Sequence, residues 1–248
     1  MPDLSRRADL DQVTELMDGP CSYEELRACL RDIAKVNALT FAHRPTLAFL
    51  ERATERRISD EAEGAYSAID AGPIRIVDVG CGYGDMLRRI ERWAAARKLE
   101  VELTGVDLSA DAIQAALRAT PASSRIEWIA GDWLSYPTEG ADIIVSSLLT
   151  HHLPEEEIVR FLRWMEATAQ RGWFINDLHR QAVPYWVFTG AAAVAGWHPF
   201  VRHDGPVSIR RSFVKEDWQR MSAEAGLAAD DVKVVAHWPA RLCVERLR

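Results

Sequence analysis

The chain has 248 residues, of which 48% are hydrophobic and 27% are charged. This composition excludes a disordered chain, a collagen and a coiled coil, and the length favours one α/β domain with an appended segment. Thirty basic residues against 37 acidic ones give a net charge of −7. No strong overall field attracts a phosphate backbone, so we expect no nucleic-acid partner.

Cysteine usage and the amino-terminal segment favour the cytoplasm. Cys21, Cys29, Cys81 and Cys243 form no CxxC pair and have no nearby histidines at zinc spacing. We therefore expect neither a disulfide framework nor a structural metal site. Residues 1–18 are charged throughout and lack the apolar core of a secretory signal.

The amino-terminal region, residues 1–71, is predicted to be a helical cap. Ser22 and Glu25 have the spacing of a capping box, apolar residues then follow at helical intervals, and a second helix is expected near Arg44. Residues 59–73 are polar and small and predict a linker into the main domain, residues 72–248.

From Ile74 onwards, short apolar runs alternate with amphipathic segments, which is typical of βαβ units around a parallel sheet. Strands are predicted at 74–79, 101–106, 126–130, 141–147 and 171–176. Helices are predicted at 84–97, 109–118, 154–169 and 214–225. Residues 232–236 and 241–247 predict a closing antiparallel hairpin.

An apolar stretch from Gln181 to Val201 contains no charged residue. Prolines and glycines interrupt it and its middle consists of small residues, so stable membrane insertion is not expected. We expect a helical lid or substrate insertion over about residues 180–212, with contact to a greasy substrate or a membrane surface as the alternative.

A glycine-rich turn follows the first predicted strand. The segment VDVGCGYGD places Gly80, Gly82 and Gly84 where that strand turns into a helix, and glycines let the backbone approach a ligand closely. A dinucleotide site needs a GxGxxG pattern, whereas Asp85 stands three positions after Gly82. The glycine spacing therefore disfavours NAD.

Acidic residues lie on or after three successive predicted strands. Asp78, on the first strand, would repel a pyrophosphate and attract an ammonium group. Asp107, at the end of the second, can accept from both hydroxyls of a ribose. Asp132 and Trp133, after the third, offer an acceptor for an adenine amine and an aromatic face for its ring. Together these residues predict a site for an adenosine that carries an amino acid.

With these motifs in this order and spacing, the chain resembles the class I S-adenosylmethionine-dependent methyltransferases. VDVGCGYGD is similar to their first motif, GVDLS to their acidic loop and AGDW to their adenine motif. The resemblance covers about residues 74–177. It implies a Rossmann-like, doubly wound α/β sheet of seven strands in the order 3-2-1-4-5-7-6, with the seventh antiparallel, and S-adenosylmethionine as cofactor. The residues expected at the cofactor are Asp78, Gly80, Cys81, Gly82, Gly84, Asp107, Leu108, Gly131, Asp132, Trp133 and Ser147.

Histidines near the expected cleft are candidate general bases. The fourth strand leads into His151 and His152, the fifth ends at Asp177, and His203 stands in the segment HDGPVSIRR. Histidine can accept a hydroxyl proton at neutral pH, and a carboxylate such as Asp177 can orient it. Because adjacent residues rarely point the same way, we expect at most one of His151 and His152 to reach the acceptor; a structural role for either remains the alternative.

Further residues are candidates for the acceptor site. Arg210 and Arg211 follow a strand-like VSI and are expected either to hold a substrate carboxylate or to tie the lid down. Trp186, Phe188, Trp197 and Phe200 offer an aromatic wall, with ordinary core packing as the alternative for at least half of them. The residues expected at the substrate are Asp177, Arg180, Trp186, Trp197 and Arg210.

The whole pattern resembles bacterial O-methyltransferases of secondary metabolism, including polyketide pathways. That resemblance implies a small, largely apolar acceptor with a phenolic or enolic hydroxyl. Methylation of nitrogen or carbon is the nearest rival, and an NAD-dependent oxidoreductase or a non-catalytic cofactor binder is more distant. Oligomerisation remains open, because the helical cap can close the site of its own chain or pack on a neighbour.

Overall fold

The computed structural model describes residues 2–62, 72–137, 140–194 and 196–248. Seven strands form one sheet: β1 (Ile74–Val79), β2 (Val101–Asp107), β3 (Glu127–Ala130), β4 (Ala141–Ser147), β5 (Ala169–Leu178), β6 (Lys233–His237) and β7 (Arg241–Leu247). Their order is β3-β2-β1-β4-β5-β7-β6. The first five strands pair in parallel, and β7 runs antiparallel to both β5 and β6. The predicted strand order and the closing hairpin are confirmed.

The helices are α1 (Tyr23–Leu39), α2 (Arg44–Ala62), α3 (Asp85–Arg97), α4 (Ala110–Ala119), α5 (Glu155–Thr168), α6 (Ala182–Val194), α7 (Pro199–Arg211) and α8 (Lys215–Glu224). The helices pack against the two faces of the sheet through two main apolar cores. One, with Phe49 of α2 and Ile90 of α3, packs on one face of the sheet. The other, with Phe161 of α5 and Trp218 of α8, packs on the opposite face. A sheet covered on both faces needs strands with continuous apolar runs, which the sequence supplies.

Local signals in the sequence fix several helix starts. The Ser22 hydroxyl accepts from the Glu25 backbone N–H at 3.3 Å, while the Glu25 carboxylate accepts from the Ser22 N–H at 2.9 Å. This is the predicted capping box. Pro154 precedes α5, and three glutamates occupy its first turn, where they complement the helix dipole.

The secondary structure differs from the prediction at α7 and at the end of α2. The strand-like VSI lies inside α7, whose buried residues Val201, Asp204, Val207, Ser208 and Arg211 recur every three or four positions. That spacing buries one face of a helix, whereas the short VSI run seen alone imitates a strand. Residues 59–62, predicted as part of the linker, continue α2; residues 63–71 of that linker lie outside the described residues.

The segment before α1 is mostly irregular, so the prediction of helices throughout residues 1–71 is wrong for its first part. Residues 2–22 contain a single short 3₁₀ turn, Leu16–Asp18, and lie along α7. The Asp204 carboxylate accepts the Leu16 and Met17 backbone N–H groups at 2.8 and 3.1 Å, and the Arg211 Nε donates to the Val13 carbonyl at 2.7 Å. We call residues 2–22 the N-terminal strap.

The lid predicted over residues 180–212 consists of α6 and α7. The apolar stretch does not form one long helix, because α6 ends at Val194 and α7 begins at Pro199. In the part of the chain that the structure describes, every helix is too short or too polar to cross a membrane.

Candidate active site

A cavity of about 810 Å³ opens at the edge of the sheet where the parallel strands end. Its floor comes from the ends of β1, β2, β4 and β5 and from the start of β7. The N-terminal strap, α1 and α7 form its roof. The reversal of strand order between β1 and β4 creates this crevice, which is where open α/β sheets bind their ligands.

The glycine turn after β1 forms one end of the cavity. Gly80 and Gly82 have φ angles of +71° and +50°, which residues other than glycine rarely adopt. A Cβ at Gly80 would also lie 3.0 Å from the Leu149 side chain. The Gly82 N–H donates to one oxygen of Asp107 at 2.8 Å and the Ser109 N–H donates to the other at 2.9 Å. The turn and the acidic end of β2 are therefore locked together.

Asp78 lies beneath this turn as a buried acid. Its side chain lines the cavity, and its Oδ1 has no hydrogen-bond partner among the described residues. Burial, followed by the nearby charges of Asp85 and Asp107, raises the pKa of the Asp78 carboxyl well above its ordinary value. A ligand ammonium would relieve this cost, because it supplies both the missing donor and the missing charge.

The residues at this end fit S-adenosylmethionine. Asp78 suits the ammonium of the methionine part, and each Asp107 oxygen keeps a free lone pair for a ribose hydroxyl. Cys81, Leu108 and Ser147, also expected at the cofactor, line the same cavity.

Four other residues expected at the cofactor lie elsewhere. A Cβ at Gly84 would come within 2.2 Å of the Trp128 ring, so this glycine makes room for an indole. Trp133 packs on Phe161 and Trp164 at ring distances of 5.1 and 5.2 Å, in the core below α5. The expectation that Trp133 offers its face to adenine is therefore wrong. Gly131 and Asp132 are not among the residues that line the cavity.

The Asp132 carboxylate has a local role as well. It caps the short 3₁₀ helix Trp133–Ser135 by accepting the Leu134 N–H at 2.9 Å. Its contact with an adenine amine stays a prediction.

A histidine held by a buried carboxylate lines a second part of the cavity, which we call the acceptor end. The His151 Nδ1 is 2.7 Å from Asp177 Oδ1, and both side chains are buried. Burial alone would raise the pKa of the Asp177 carboxyl, but the His151 ring and hydrogen bonds from Thr150, His151 and the Leu178 N–H hold that pKa below its ordinary value. Asp177 thus accepts from Nδ1, which leaves the lone pair of Nε2 free to take a proton. The predicted orientation of a histidine by Asp177 is present.

His152 lies beside His151, with ring centres 4.2 Å apart. Its Nδ1 is 3.2 Å from Asp18 of the strap. Burial lowers the pKa of His152, but the Asp18 hydrogen bond and the charges of Glu15, Asp18 and Asp177 outweigh it and raise that pKa above its ordinary value. Both histidines line the cavity, and the expectation that at most one of them reaches the acceptor stays a prediction. They follow one another in a 3₁₀ turn, Thr150–His152, and not in a strand whose side chains alternate.

Glu15, His151 and His152 form a group with the spacing of a metal site. Each offers one ligand atom, and these atoms lie within 4.8 Å of one another. Two histidines and a carboxylate suit a divalent transition metal. Glu15 also has protein partners, because its Oε1 accepts from the Ser208 hydroxyl at 2.8 Å and lies 3.5 Å from the Arg211 guanidinium. The expectation of a metal-free site stays a prediction.

His203 does not reach the cavity, contrary to its prediction as a base. Its side chain is 48% exposed and its Nδ1 lies 2.8 Å from Asp204. It precedes Asp204 on α7, and of these two residues only Asp204 lines the cavity.

The two arginines expected at the substrate are also placed elsewhere. The buried Arg180 pairs with Asp217 at 3.0 Å and donates to the Leu4 carbonyl, so it holds chain segments together. Arg210 is not among the residues that line the cavity, and its backbone carbonyl accepts from the Ala8 N–H. The neighbouring Arg211 fulfils the second expectation for this pair: it ties the lid down.

The aromatic wall is only partly present. Phe188 lines the cavity. Trp186 is 52% exposed and stacks edge-on against Tyr185, while Trp197 packs on Phe188 at 5.6 Å without reaching the cavity itself. The predictions that Trp186 and Trp197 touch the substrate are therefore wrong.

Comparisons with known proteins agree with this geometry. Residues 76–172 match the family model described as a methyltransferase domain. Over this segment, which runs from β1 into β5, the chain is similar to methyltransferases. A curated relative, the trans-aconitate 2-methyltransferase of Streptomyces avermitilis, is 35% identical over 105 residues, which make up 40% of this chain and 37% of that protein.

Several solved structures share the fold of this chain. The plantazolicin methyltransferase, in complex with S-adenosylhomocysteine, gives a TM-score of 0.54 at 15% identity over 90% of this chain and 96% of its own. A pericyclic reaction enzyme gives 0.52 at 18% identity over 76% of this chain and 46% of its own. The CMeT domain of the citrinin polyketide synthase gives 0.53 at 16% identity over 72% and 47%. The predicted class I fold is confirmed, and the predicted cofactor agrees with these findings.

Sequence reasoning missed several charged residues that lie outside the recognised motifs and contact the histidines or their partners. Glu15 and Asp18 reach the histidines from the strap, and Arg211 pairs with Asp18 at 2.7 Å. Each lies in a polar or charged stretch with no local pattern to single it out. Arg211 was not missed entirely, since its place after the apolar stretch led to the prediction that it holds the lid in place.

A second missed group lies where α1, α3 and β7 meet in the cavity wall. His43 Nε2 contacts Asp85 at 2.8 Å, and the Asn37 amide contacts the same carboxylate at 3.5 Å. Arg241 donates to the Asn37 carbonyl oxygen at 2.9 Å. We call Asn37, His43, Asp85 and Arg241 the α1–β7 cluster.

Proposed function

We propose that the protein is a cytoplasmic S-adenosylmethionine-dependent O-methyltransferase. Its acceptor is a hydroxyl of a small, largely apolar aromatic or polyketide-like metabolite. The observation that carries this proposal is the His151–Asp177 pair, which faces the cavity that also holds Asp78 and Asp107.

When bound, S-adenosylmethionine supplies a methyl group on a positively charged sulfur. A hydroxyl is a weak nucleophile until it loses its proton, and His151 Nε2 is placed to accept that proton. With S-adenosylmethionine bound, the deprotonated oxygen would receive the methyl group, and the electron pair of the broken carbon–sulfur bond would stay on the sulfur. The charged His151 ring is stabilised by Asp177 on one side and by Glu15, 3.8 Å from Nε2, on the other.

The walls of the cavity support an apolar acceptor. Between the two polar ends, α1 contributes Leu26, Leu30 and Ile33, and the lid contributes Phe188 and Val201. Such walls bind rings and alkyl chains, and they also exclude the water that would shield the reacting charges. Methyl transfer gains most from alignment of the two reactants, which a closed apolar cavity provides.

The names of the similar proteins support this substrate class in part. One similar structure is named as a domain of the citrinin polyketide synthase, and another as the plantazolicin methyltransferase. The trans-aconitate 2-methyltransferase is named for a small organic acid. All four cysteines of the chain are free, which suits the reducing cytoplasm.

Turnover of a labelled cofactor tests the proposal. The protein is incubated with methyl-labelled S-adenosylmethionine and a panel of phenols, enols and amines, and the products are identified by mass spectrometry. We expect label on oxygen of a phenol or enol. Label on nitrogen or carbon alone would contradict O-methylation and leave methyl transfer intact.

The same assay with EDTA tests the role of the histidines. We expect unchanged turnover, because the histidines then act as proton acceptors. A loss that added Zn²⁺ or Mn²⁺ restores would show that Glu15, His151 and His152 bind a metal and would contradict the base role.

A further inference from the structure

Arg241, the first residue of β7, differs from the other deeply buried arginines. Arg180 pairs with Asp217 at 3.0 Å, and Arg211 pairs with Asp18 at 2.7 Å. Arg241 is only 6% exposed, yet in the described part of the chain it has no carboxylate within 4.0 Å. Its hydrogen bond to a side chain goes to the neutral Asn37.

A buried guanidinium without an ion-pair partner is costly, because it has lost water and gained no opposite charge. The acids nearest to it are engaged elsewhere. Asp85 contacts His43 at 2.8 Å, and Asp177 contacts His151 at 2.7 Å. Arg241 also lines the cavity, so a ligand bound there can lie next to its guanidinium.

We propose that Arg241 binds a carboxylate of a ligand in the cavity. A guanidinium presents two parallel N–H groups that match the two oxygens of a carboxylate. A phosphate fits less well, because Asp78 and Asp85 line the same cavity and would repel a second negative charge. The Asn37 carbonyl oxygen accepts from one Nη of the guanidinium and so helps to fix its orientation.

Two ligands of the proposed reaction can supply this carboxylate. One is the methionine part of S-adenosylmethionine, whose ammonium Asp78 would hold. The other is an acceptor that carries a carboxylic acid as well as its hydroxyl. The inference rests on the proposed function only in that these two ligands share the cavity.

Calorimetry with R241Q and R241K tests the first source. S-adenosylhomocysteine and its decarboxylated analogue are titrated into each variant and into the wild type. If the cofactor supplies the carboxylate, R241Q should bind S-adenosylhomocysteine roughly 10-fold to 100-fold more weakly. R241K should lose less affinity, and the decarboxylated analogue should bind wild type and R241Q equally.

The second source is tested on protein already saturated with S-adenosylhomocysteine. Benzoate and trans-aconitate serve as carboxylate probes, and benzamide is the uncharged match for benzoate. If the acceptor supplies the carboxylate, wild type should bind at least one of the acids and R241Q should bind neither, with S-adenosylhomocysteine affinity unchanged. Benzamide should not distinguish the two proteins.

R246Q is the matched control, because Arg246 is on the same strand and pairs with Asp231 at 2.7 Å outside the cavity. It should bind every probe like the wild type. The inference is overturned if R241Q changes no binding, or if it weakens S-adenosylhomocysteine and the decarboxylated analogue equally. Failure of the wild type to bind S-adenosylhomocysteine would instead refute the proposed function, so the two failures are distinguishable.

Discussion

The two ends of the cavity are built in different ways. At the cofactor end, Asp78, Gly80, Gly82 and Asp107 belong to one β-α-β unit, and backbone N–H groups fix their geometry. At the acceptor end, His151 meets Glu15 of the N-terminal strap and Asp177 of β5, and Arg211 of α7 lies beside the same glutamate. These groups come from distant parts of the chain.

This difference explains why the residues of the cofactor end can be predicted from a sequence pattern and those of the acceptor end cannot. A turn between adjacent elements depends on local conformation, so its glycines and acids keep a fixed spacing. A site assembled from distant segments depends on tertiary packing, for which the sequence has no short pattern. The predictions below test whether the two ends are as independent as their construction suggests.

The largest effect should come from removing the base at the acceptor end. His151→Asn should lower kcat by about 10²-fold to 10⁴-fold, the usual contribution of a general base. Affinity for S-adenosylhomocysteine should stay unchanged, because the cofactor end is intact. Steady-state kinetics and calorimetry measure the two effects.

His203→Asn is the control for this variant, since that histidine is exposed and outside the cavity. It should keep full activity. Equal losses of kcat in both variants would show that His151 has no special part in proton transfer.

A large effect on stability should come from the tie between strap and lid. Arg211→Gln removes a buried guanidinium that pairs with Glu15 and Asp18 and leaves Asp18 only its contact with His152. A broken buried ion pair costs about 3–5 kcal/mol of unfolding free energy. Urea denaturation measures this loss. Arg220→Gln removes an exposed pair with Glu155 and should cost about 1 kcal/mol or less. A similar cost for both arginines would contradict the buried tie.

A smaller effect should follow from changing the acid at the end of β2. Asp107→Ala should weaken S-adenosylhomocysteine binding by about 1.5–3 kcal/mol, as expected when a charged acceptor is removed. Unchanged affinity would mean that the ribose lies elsewhere. Asp132→Ala in the same titration tests the predicted adenine contact, which requires a loss of affinity there too.

The smallest effects should be the changes of stability and of cofactor binding with pH, and both arise from Asp78. Its raised pKa means that the folded protein holds this proton after the unfolded chain has lost it, near pH 3.8. Stability therefore falls as pH rises from that value through the folded pKa. Asp78→Asn should remove this loss.

Binding should change with pH in the opposite direction to stability. The charged Asp78 carboxylate is the form that attracts the ligand ammonium, so wild-type affinity for S-adenosylhomocysteine should rise with pH. Asp78→Asn should bind weakly and without this rise. Identical pH profiles for the two proteins would exclude Asp78 as the ammonium partner.

The fold was largely predictable because its signals are local or periodic. Apolar runs located the strands, Ser22 and Pro154 marked helix starts, and the motif resemblance implied the strand order. The error in α7 shows the limit, since VSI alone has an apolar, β-branched character that only the surrounding helical spacing overrides.

The site was predictable only where one segment contains it. Asp78 and Asp107 line the cavity together, while their contacts with a cofactor stay a prediction. The link between His151 and Asp177 was foreseen from the ends of neighbouring strands. Trp133, Arg180 and His203 were misplaced because chemical character does not say which way a side chain packs. Arg241 was missed, since a single arginine at a strand start carries no pattern.

Calorimetric titration of the wild-type protein with S-adenosylhomocysteine tests the central claim most directly, with NAD as the matched competitor. We predict saturable binding of one S-adenosylhomocysteine per chain and no binding of NAD. A folded protein that fails to bind S-adenosylhomocysteine, or that binds NAD in its place, would contradict the assignment of the glycine turn and its acids to a sulfonium nucleoside.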